Sequence, residues 1–170
     1  MKHLYFCRHG LSQLNAEGKW AGSTETPLTT EGRGQAKKAG EEAKGLGIDY
    51  IICSPLSRAQ DTAKIVAKEI NYPEHDIEVN SLVVERHFGS LEGTTWDPDF
   101  NIDGISDAEP LDTLLERARL TLNHLKTVDA DTILVVSHGS FGRALRHVLN
   151  PSVPFEKVER FENAKIAKLL

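Results

Sequence analysis

The sequence has little of several features that would place a protein in other classes. Only two of its 170 residues are cysteines, which is too few for a disulfide framework. We therefore expect Cys7 and Cys53 to be buried, reduced thiols of a cytoplasmic protein. No stretch approaches the roughly 20 apolar residues needed to span a bilayer. Met1 leads within a few residues into an apolar run, with no signal-peptide pattern.

The chain also lacks an excess of basic residues. Its net charge of −5 argues against nucleic acid or an anionic membrane surface as the main partner. Hydrophobic residues make up 39% and charged residues 26%, as in an ordinary globular protein, and we expect residues 1–170 to form one domain. An acidic, loop-like stretch at 95–110 shows no metal-ligand spacing with any histidine, so we expect neither a metal nor another cofactor.

The apolar pattern is typical of an α/β protein with a mostly parallel sheet. Near-continuous apolar runs predict buried strands at residues 4–6, 48–53 and 132–136. Helices are predicted between them, capped by Thr29 or Thr30 and by Ser54 with Pro55 in the first turn, and later over 111–125 and 141–149. A short strand is expected within 76–83. Residues 158–161 and 165–169 predict a terminal hairpin at the sheet edge.

Polar residues with complementary chemistry follow the first strand. Arg8, His9 and Gly10 come directly after it, where open α/β sheets bind ligands. A guanidinium fork can bind phosphate oxygens, and an imidazole can attack phosphorus. The dipeptide alone is a weak signal, because a solvated Arg beside a capping His is more common.

Two further strand ends reinforce that signal. Arg58 falls in the first turn of the predicted helix after the second strand, where the helix dipole makes a cation unfavourable unless an anion binds there. His138 and Gly139 follow the clearest strand of the chain and repeat the arrangement of His9 and Gly10.

Loops supply the remaining candidates. Glu85 is flanked by Val84 and Phe88, and apolar surroundings would favour the protonated acid. A salt-bridging surface Glu is the alternative. Trp20 lies in a loop at 16–29 and either lines a substrate pocket or anchors the loop to the core. The 95–110 stretch is a candidate lid.

These residues form a consistent phosphoryl-transfer site if the sheet gathers them on its carboxyl edge. Neutral His9 would attack phosphorus, with its other ring nitrogen donating to a backbone carbonyl. Arg8, Arg58 and a protonated His138 would hold the phosphoryl oxygens. Glu85 would protonate the leaving oxygen and then activate water.

The sequence resembles the histidine phosphatase superfamily, which includes the cofactor-dependent phosphoglycerate mutases. Nearly the whole chain carries the resemblance, in stretches that follow the family order: Arg8-His9-Gly10, Asn15, Pro27-Leu28-Thr29, Gly32 with Gln35-Ala36, Ser54 to Ala63, Glu85 with Phe88-Gly89, Leu91-Glu92-Gly93, and Ser137-His138-Gly139. The resemblance implies a three-layer αβα sandwich, a phosphohistidine intermediate and the roles assigned above. It also implies substrate binding by Arg8, Asn15, Arg58, His138 and Gly139.

Departures from the family pattern favour one branch. Leu11 stands where many members carry an acidic residue, Glu25 stands where Asp is common, and the segment after Glu92 lacks the long insertion of the glycolytic mutases. We therefore expect metal-independent hydrolysis of a small phosphomonoester rather than phosphoglycerate mutation. Because the family's phosphohistidine phosphatases typically lack a Glu at this position, Glu85 indicates an alkyl or sugar phosphate.

Other classes fit less well. Cys53 and Arg58 are separated by four residues, whereas a cysteine-dependent phosphatase needs five, and no phosphate-binding loop of the Gly-x4-Gly-Lys type is present. A mutase remains an alternative, as does a catalytically silent phosphate-binding protein of the same fold. The substrate is not identified by the sequence, and either a monomer or a homodimer is compatible with it.

Overall fold

A five-stranded sheet forms the centre of the computed structural model, which describes residues 1–170. Its strands are β1 (His3–Arg8), β2 (Tyr50–Cys53), β3 (Glu78–Val79), β4 (Thr132–Ser137) and β5 (Ile166–Lys168). They lie in the order β3-β2-β4-β1-β5. All neighbouring strands are parallel except β5, which runs antiparallel to β1. The predicted α/β class with a mostly parallel sheet is confirmed.

Five helices surround the sheet: α1 (Gln13–Ala16), α2 (Thr30–Ala43), α3 (Ser57–Glu69), α4 (Leu111–Thr127) and α5 (Gly139–Leu149). The connections contain short 3-10 turns, including residues 81–83, 89–91 and 102–104. None of the helices combines the length and the apolar character that crossing a bilayer would require.

Alternating strand residues divide the core into two apolar layers. Ile133 and Val135 of β4 belong to a cluster with buried residues of α4 and α5. Leu134 and Val136 of the same strand belong to a second cluster with the alanines of α2 and α3. Because successive side chains of a strand point to opposite faces, the continuous apolar run in β4 requires helices on both sides. The molecule is accordingly a three-layer αβα sandwich.

Strand register brings the two histidine-bearing strand ends together. β1 and β4 are adjacent and parallel, with Arg8 paired to Ser137. His9 directly follows the last residue of β1, and His138 directly follows the last residue of β4. Both histidines therefore lie at the same edge of the sheet. The backbone N–H of His9 donates to the carbonyl of Ser137 over 2.9 Å. The repeated pattern in the sequence therefore becomes a pair of neighbouring side chains.

Helix α2 begins where the sequence predicts and packs closely on α3. Thr29 is its N-cap and accepts a hydrogen bond from the backbone of Gly32. Ala39 and Ala43 pack against sheet residues such as Leu134. A Cβ on Gly40 would lie 2.7 Å from the Cβ of Glu69 and 3.2 Å from the Cα of Val66 in α3. The missing side chain therefore permits close packing of α2 on α3.

Helix α3 starts later than predicted. Its first residue is Ser57, and Leu56 occupies the N-cap position without a side-chain cap. Glu25 takes over the capping role from a distant loop, since its carboxylate accepts from both the backbone N–H and the hydroxyl of Ser57. Ser54 accepts from the N–H of Leu56 and binds His138 instead. A capping residue 32 positions away in sequence gives no local signal.

The predicted C-terminal hairpin is wrong in one arm. Residues 165–169 do supply the edge strand β5, but 158–161 form no strand. The segment before β5 instead bonds to the end of β1, because Ala164 donates to the carbonyl of Arg8 over 2.8 Å and Asn163 donates to the carbonyl of His9 over 2.9 Å. At the other edge, the short strand predicted within 76–83 is confirmed as the two residues of β3.

Candidate active site

A cavity of about 280 Å³ opens at the carboxyl edge of the sheet. Its wall contains six of the seven predicted site residues: Arg8, His9, Asn15, Arg58, Glu85 and Gly139. The seventh, His138, lies beside His9 with the ring centroids 5.1 Å apart, and it is fully buried. The site residues predicted from separate parts of the sequence thus lie together around one cavity.

Backbone contacts hold the His9 ring in a defined orientation. Its Nδ1 lies 2.6 Å from the carbonyl oxygen of Gly10. Because a carbonyl only accepts hydrogen bonds, Nδ1 carries the proton and Nε2 keeps its lone pair. This is the backbone hydrogen bond expected from the sequence. Burial, followed by the charges of Arg58 and Arg8, lowers the pKa of His9 well below its ordinary value, so the imidazole is neutral at pH 7.

In the protein without a bound phosphate, the ring of His138 is also neutral. Burial lowers its pKa well below the ordinary value, and the nearby Arg58 lowers it further. Its Nε2 is hydrogen-bonded to the hydroxyl of Ser54 over 2.7 Å. Since that hydroxyl already accepts from Leu56, it is free to donate its proton to Nε2. Nδ1 then carries the imidazole hydrogen, and it is buried without a partner.

Arg58 is almost entirely buried, with 1% of its surface exposed, and each end of its guanidinium is bound. Nη1 and Nη2 donate to the carbonyls of Thr24 and Gly22 at 2.8 and 2.6 Å. Nε donates to Nε2 of His9 over 3.2 Å. Burial lowers the pKa of Arg58, but a guanidinium remains charged in proteins. The site therefore holds a fixed positive charge against the unprotonated ring nitrogen of His9.

Arg8 adds a second guanidinium to the cavity wall. Nη1 donates to the carbonyl of Phe161 over 3.1 Å, whereas Nε is buried without a partner. Oδ1 of Asn15, a further wall residue, is likewise buried and unpartnered. Buried polar atoms without partners are uncommon in folded proteins. Their concentration around this cavity is what a site for a polar ligand requires.

Glu85 lies in a polar environment rather than the apolar one expected from its neighbours in sequence. One carboxylate oxygen accepts from the N–H groups of Arg86 and Phe141, at 2.8 and 3.0 Å. The other accepts from the N–H of Ser140 over 3.1 Å. Ser140 and Phe141 belong to the first turn of α5, so the carboxylate also faces the positive end of a helix dipole. The neighbours Val84 and Phe88 do not determine its surroundings.

A second carboxylate, Glu92, secures the loop that holds Arg58. It accepts from the backbone and hydroxyl of Ser23, the hydroxyl of Thr24 and the backbone of Phe88. These hydrogen bonds lower the pKa of Glu92 against the opposing effect of burial. The loop carbonyls that bind Arg58 are thereby tied to the segment that carries Glu85. Sequence reasoning assigned no role to Glu92.

Several residues on the cavity wall were not predicted. They are Leu11, Gly18, Lys19, Ala21, Gly22, Phe88, Trp96, Ser140, Arg143, Arg160, Phe161 and Asn163. Trp20 satisfies both interpretations offered for it, since it is buried against Phe88 at a ring distance of 4.7 Å and also lines the cavity. Ser140 and Arg143 belong to α5. Most of the others come from loops without a regular pattern, so no periodicity identifies them.

Both cysteines are buried thiols. Burial raises the pKa of Cys7 and of Cys53 to about 12, which keeps both as unreactive thiols. No group of three or more His, Cys, Asp or Glu side chains lies close enough together to hold a metal ion.

The fold and site define an αβα protein with a neutral histidine at the centre of a cationic pocket, at the carboxyl edge of its sheet. The family model that matches this chain is the histidine phosphatase superfamily, branch 1, over residues 4–169. The chain belongs to that superfamily.

The relatives of this chain are named for two different activities, phosphoglycerate mutase and phosphatase. The Probable phosphoglycerate mutase GpmB of an Enterobacter species is 34% identical over 182 residues, covering 99% of this chain and 85% of the relative. A candidate alpha-ribazole-5'-P phosphatase from Escherichia coli has a similar structure, with a TM-score of 0.84 and 25% identity over 98% of this chain and 89% of that one.

A mycobacterial glucosyl-3-phosphoglycerate phosphatase shares the fold as well. Its TM-score is 0.83 at 22% identity, covering 99% of this chain and 90% of that one. Phosphatases thus recur among the structural relatives, and the phosphoric monoester hydrolases are the enzyme class with which the family and the fold agree.

Proposed function

We propose that the protein is a metal-independent phosphomonoester hydrolase that acts through a phosphohistidine on a small phosphorylated metabolite. The observation that supports this most directly is the state of His9. Its Nδ1 proton is held by the carbonyl of Gly10, and its Nε2 lone pair faces Arg58. A neutral imidazole with one fixed tautomer is what a nucleophile toward phosphorus requires.

The phosphoryl group binds between two guanidiniums and a neutral donor. Arg58 and Arg8 bind its oxygens, and the unpartnered Nε of Arg8 supplies one of the donors. Nδ1 of His138 supplies another without any need for the ring to be protonated. Fixed donors around a loose, charge-spread transition state account for most of the catalysis in phosphoryl transfer. Asn15 and Gly139, both on the wall, complete the binding set.

Two half-reactions follow. In the first, a bond forms between Nε2 of His9 and phosphorus while the ester P–O bond breaks, and the leaving oxygen takes a proton from Glu85. In the second, water attacks phosphorus, its proton passes to the Glu85 carboxylate, and the P–N bond breaks. His9 and Glu85 then return to their original states.

Three backbone N–H donors hold the carboxylate of Glu85 at the cavity wall, where it can exchange a proton first with the leaving oxygen and then with water. Because Glu85 can protonate a poor leaving group, alkyl and sugar phosphates are the expected substrates.

Phosphoglycerate mutation is the second candidate, and the names of the curated relatives favour it. A mutase must retain the phosphorylated intermediate and the sugar acid between half-reactions. Here only the short stretch from 93 to 110 separates Glu92 from α4, which leaves little chain to close over the site. Hydrolysis is therefore the function that the geometry supports better.

The test is hydrolysis of p-nitrophenyl phosphate in the presence of a chelator, comparing the wild type with His9→Ala and with His75→Asn as an exposed-histidine control. We expect the wild type and His75→Asn to turn over and His9→Ala to be inactive. Acid-labile, base-stable label from a ³²P-labelled substrate should appear on the wild type and be absent from His9→Ala.

Two results would contradict this proposal. Turnover by His9→Ala comparable to that of the wild type would remove His9 as the nucleophile. A labelled wild type that passes phosphate to phosphoglycerate much faster than to water would identify a mutase.

A further inference from the structure

The outer part of the cavity wall carries an aromatic surface with a guanidinium on it. Trp96 is 44% exposed and lies 6.4 Å, ring to ring, from the buried Trp20. The guanidinium carbon of Arg160 lies 5.2 Å from the centre of the Trp96 ring. All three residues line the cavity that contains His9. Trp96 and Arg160 are exposed, so they lie on the solvent side of this cavity.

The segment that carries Trp96 is held in place by backbone hydrogen bonds. The N–H of Trp96 donates to Gly18, and the N–H of Trp20 donates to Thr94, at 2.8 and 3.0 Å. Arg160 reaches the same segment from the other side by donating to the carbonyl of Pro98 over 3.0 Å. The aromatic surface is thus built by two loops and the C-terminal segment.

The cavity wall holds more positive charge than a phosphate group uses. Besides Arg8 and Arg58, it includes Lys19, Arg143 and Arg160, against a single carboxylate, Glu85. Burial lowers the pKa of Arg8, and the nearby charge of Arg160 lowers it further. Such crowding of like charges is unexpected in a chain of net charge −5, unless an anion binds there.

The three additional cations differ in their availability. Lys19 is already paired with Glu17 at 2.8 Å. Arg143 uses its guanidinium on the carbonyls of Val158 and Phe155. Arg160 forms no ion pair and makes one hydrogen bond, which leaves most of its donors free.

We infer that Arg160, seated on Trp96, binds a second anionic group on the leaving-group side of the substrate. This inference rests on the proposed function and narrows its substrate class to phosphomonoesters that also carry a carboxylate or a second phosphate. The phosphoryl group bound by Arg8 and Arg58 lies at the floor of the cavity, and the second anion lies at its mouth. With its guanidinium carbon 5.2 Å from the centre of the Trp96 ring, Arg160 keeps N–H groups available to such a group.

The test uses three substrates of one carbon skeleton. Glycerol 3-phosphate ends in a neutral hydroxymethyl group, 3-phosphoglycerate ends in a carboxylate, and glycerol 1,3-bisphosphate ends in a second phosphate. For the wild type we expect kcat/KM to be at least about tenfold higher with an acidic end than with the neutral end, as a charge-assisted hydrogen bond would provide. Preference for one of the two acids identifies which anion is bound.

Arg160→Gln should lower this ratio to near one, whereas Arg119→Gln should leave it unchanged. Arg119 is an exposed residue of α4 paired with Glu116, and it does not line the cavity. Arg160→Lys should retain part of the preference, because the charge remains while the planar fork is lost. Equal kcat/KM for the three substrates in the wild type, or an unaltered preference in Arg160→Gln, would overturn the inference.

Binding separates this inference from the proposed function. The protein has two tryptophans, and both line the cavity, so their fluorescence reports on ligands there. In His9→Ala, titration with 3-phosphoglycerate and glycerol 3-phosphate gives the selectivity without turnover. Acid-selective binding in a protein that hydrolyses no ester would refute the proposed function and support the second-anion site. Active hydrolysis with non-selective binding would support the proposed function and refute the second-anion site.

Discussion

The Nε–H of Arg58 donates to Nε2 of His9 over 3.2 Å. The proposed nucleophilic lone pair is therefore covered by a cation in the free protein. An entering phosphate must take over that N–H, which moves the guanidinium's charge onto a phosphoryl oxygen as Nε2 approaches phosphorus. The carbonyls of Gly22 and Thr24 hold the rest of the guanidinium in place, so the exchange requires little movement.

Arg58→Ala should lose on the order of 10² to 10³ in kcat, as is typical when a key donor to the transition state is removed. Arg58→Lys should restore little of the lost kcat, because an ammonium cannot bind both loop carbonyls and a phosphoryl oxygen in one plane. Steady-state kinetics with p-nitrophenyl phosphate measure both, with Arg33→Ala as the exposed control. Turnover of Arg58→Ala near the wild-type value would place this residue outside the reaction.

Glu85→Gln should discriminate between leaving groups. An aryl phosphate leaves without a proton, whereas an alkyl phosphate needs one, and general acid catalysis contributes typically 10² to 10⁴. We expect the kcat of glycerol 3-phosphate hydrolysis to fall by about that range and that of p-nitrophenyl phosphate to fall much less. Urea unfolding of the variant checks that loss of the α5 contact has not unfolded it. An equal loss with both esters would exclude the general-acid role.

The buried histidines should make stability depend on pH. The pKa values of His9 and His138 are lowered well below their ordinary value in the folded protein, so the unfolded chain binds protons below pH of about 6.5 while the folded one does not. The free energy of unfolding should therefore fall with decreasing pH in that window. Each histidine contributes a slope approaching 1.4 kcal/mol per pH unit at most, to order of magnitude.

Urea unfolding at pH 7.5, 6.5 and 5.5 measures this dependence. His9→Asn should reduce the slope relative to the wild type, and replacement of the exposed His75 by Asn should not. Identical slopes in the wild type and His9→Asn would show that His9 is protonated to the same extent in both states.

Gly32→Ala should destabilise the protein and slow turnover. A Cβ at Gly32 would overlap the backbone of Leu11, the residue after the carbonyl that fixes Nδ1 of His9. Overpacking of this kind costs about 1–3 kcal/mol. Gly34→Ala is the matched control in the same helix, because its Cβ would meet nothing within 4 Å, and it should stabilise by about 0.4–1 kcal/mol. Urea unfolding measures the stability of both variants. Equal stabilities would contradict the close approach of Gly32 to the backbone of Leu11.

Local sequence patterns predicted the parts of the fold that depend on local physics. Continuous apolar runs identified β1 and β4 because strands buried on both faces need apolar side chains at every position. Thr29 was recognisable as a cap because its partner, Gly32, lies three residues away. The cap of α3 was missed because Glu25 reaches Ser57 from another loop. The hairpin was mispredicted because residues 158–161 contact the site instead of pairing with β5.

The sequence by itself determined the α/β class, the histidines at two strand ends and the chemistry those residues can perform. Only the tertiary structure decided that Arg58 contacts His9, that His138 is neutral and bound to Ser54, that Glu85 sits at the start of α5, and that Arg160 lies on Trp96 at the cavity mouth. The physical reason is one of range. Side-chain periodicity reports burial within one element, whereas protonation states and cavity walls depend on charges and backbone groups brought together from distant parts of the chain.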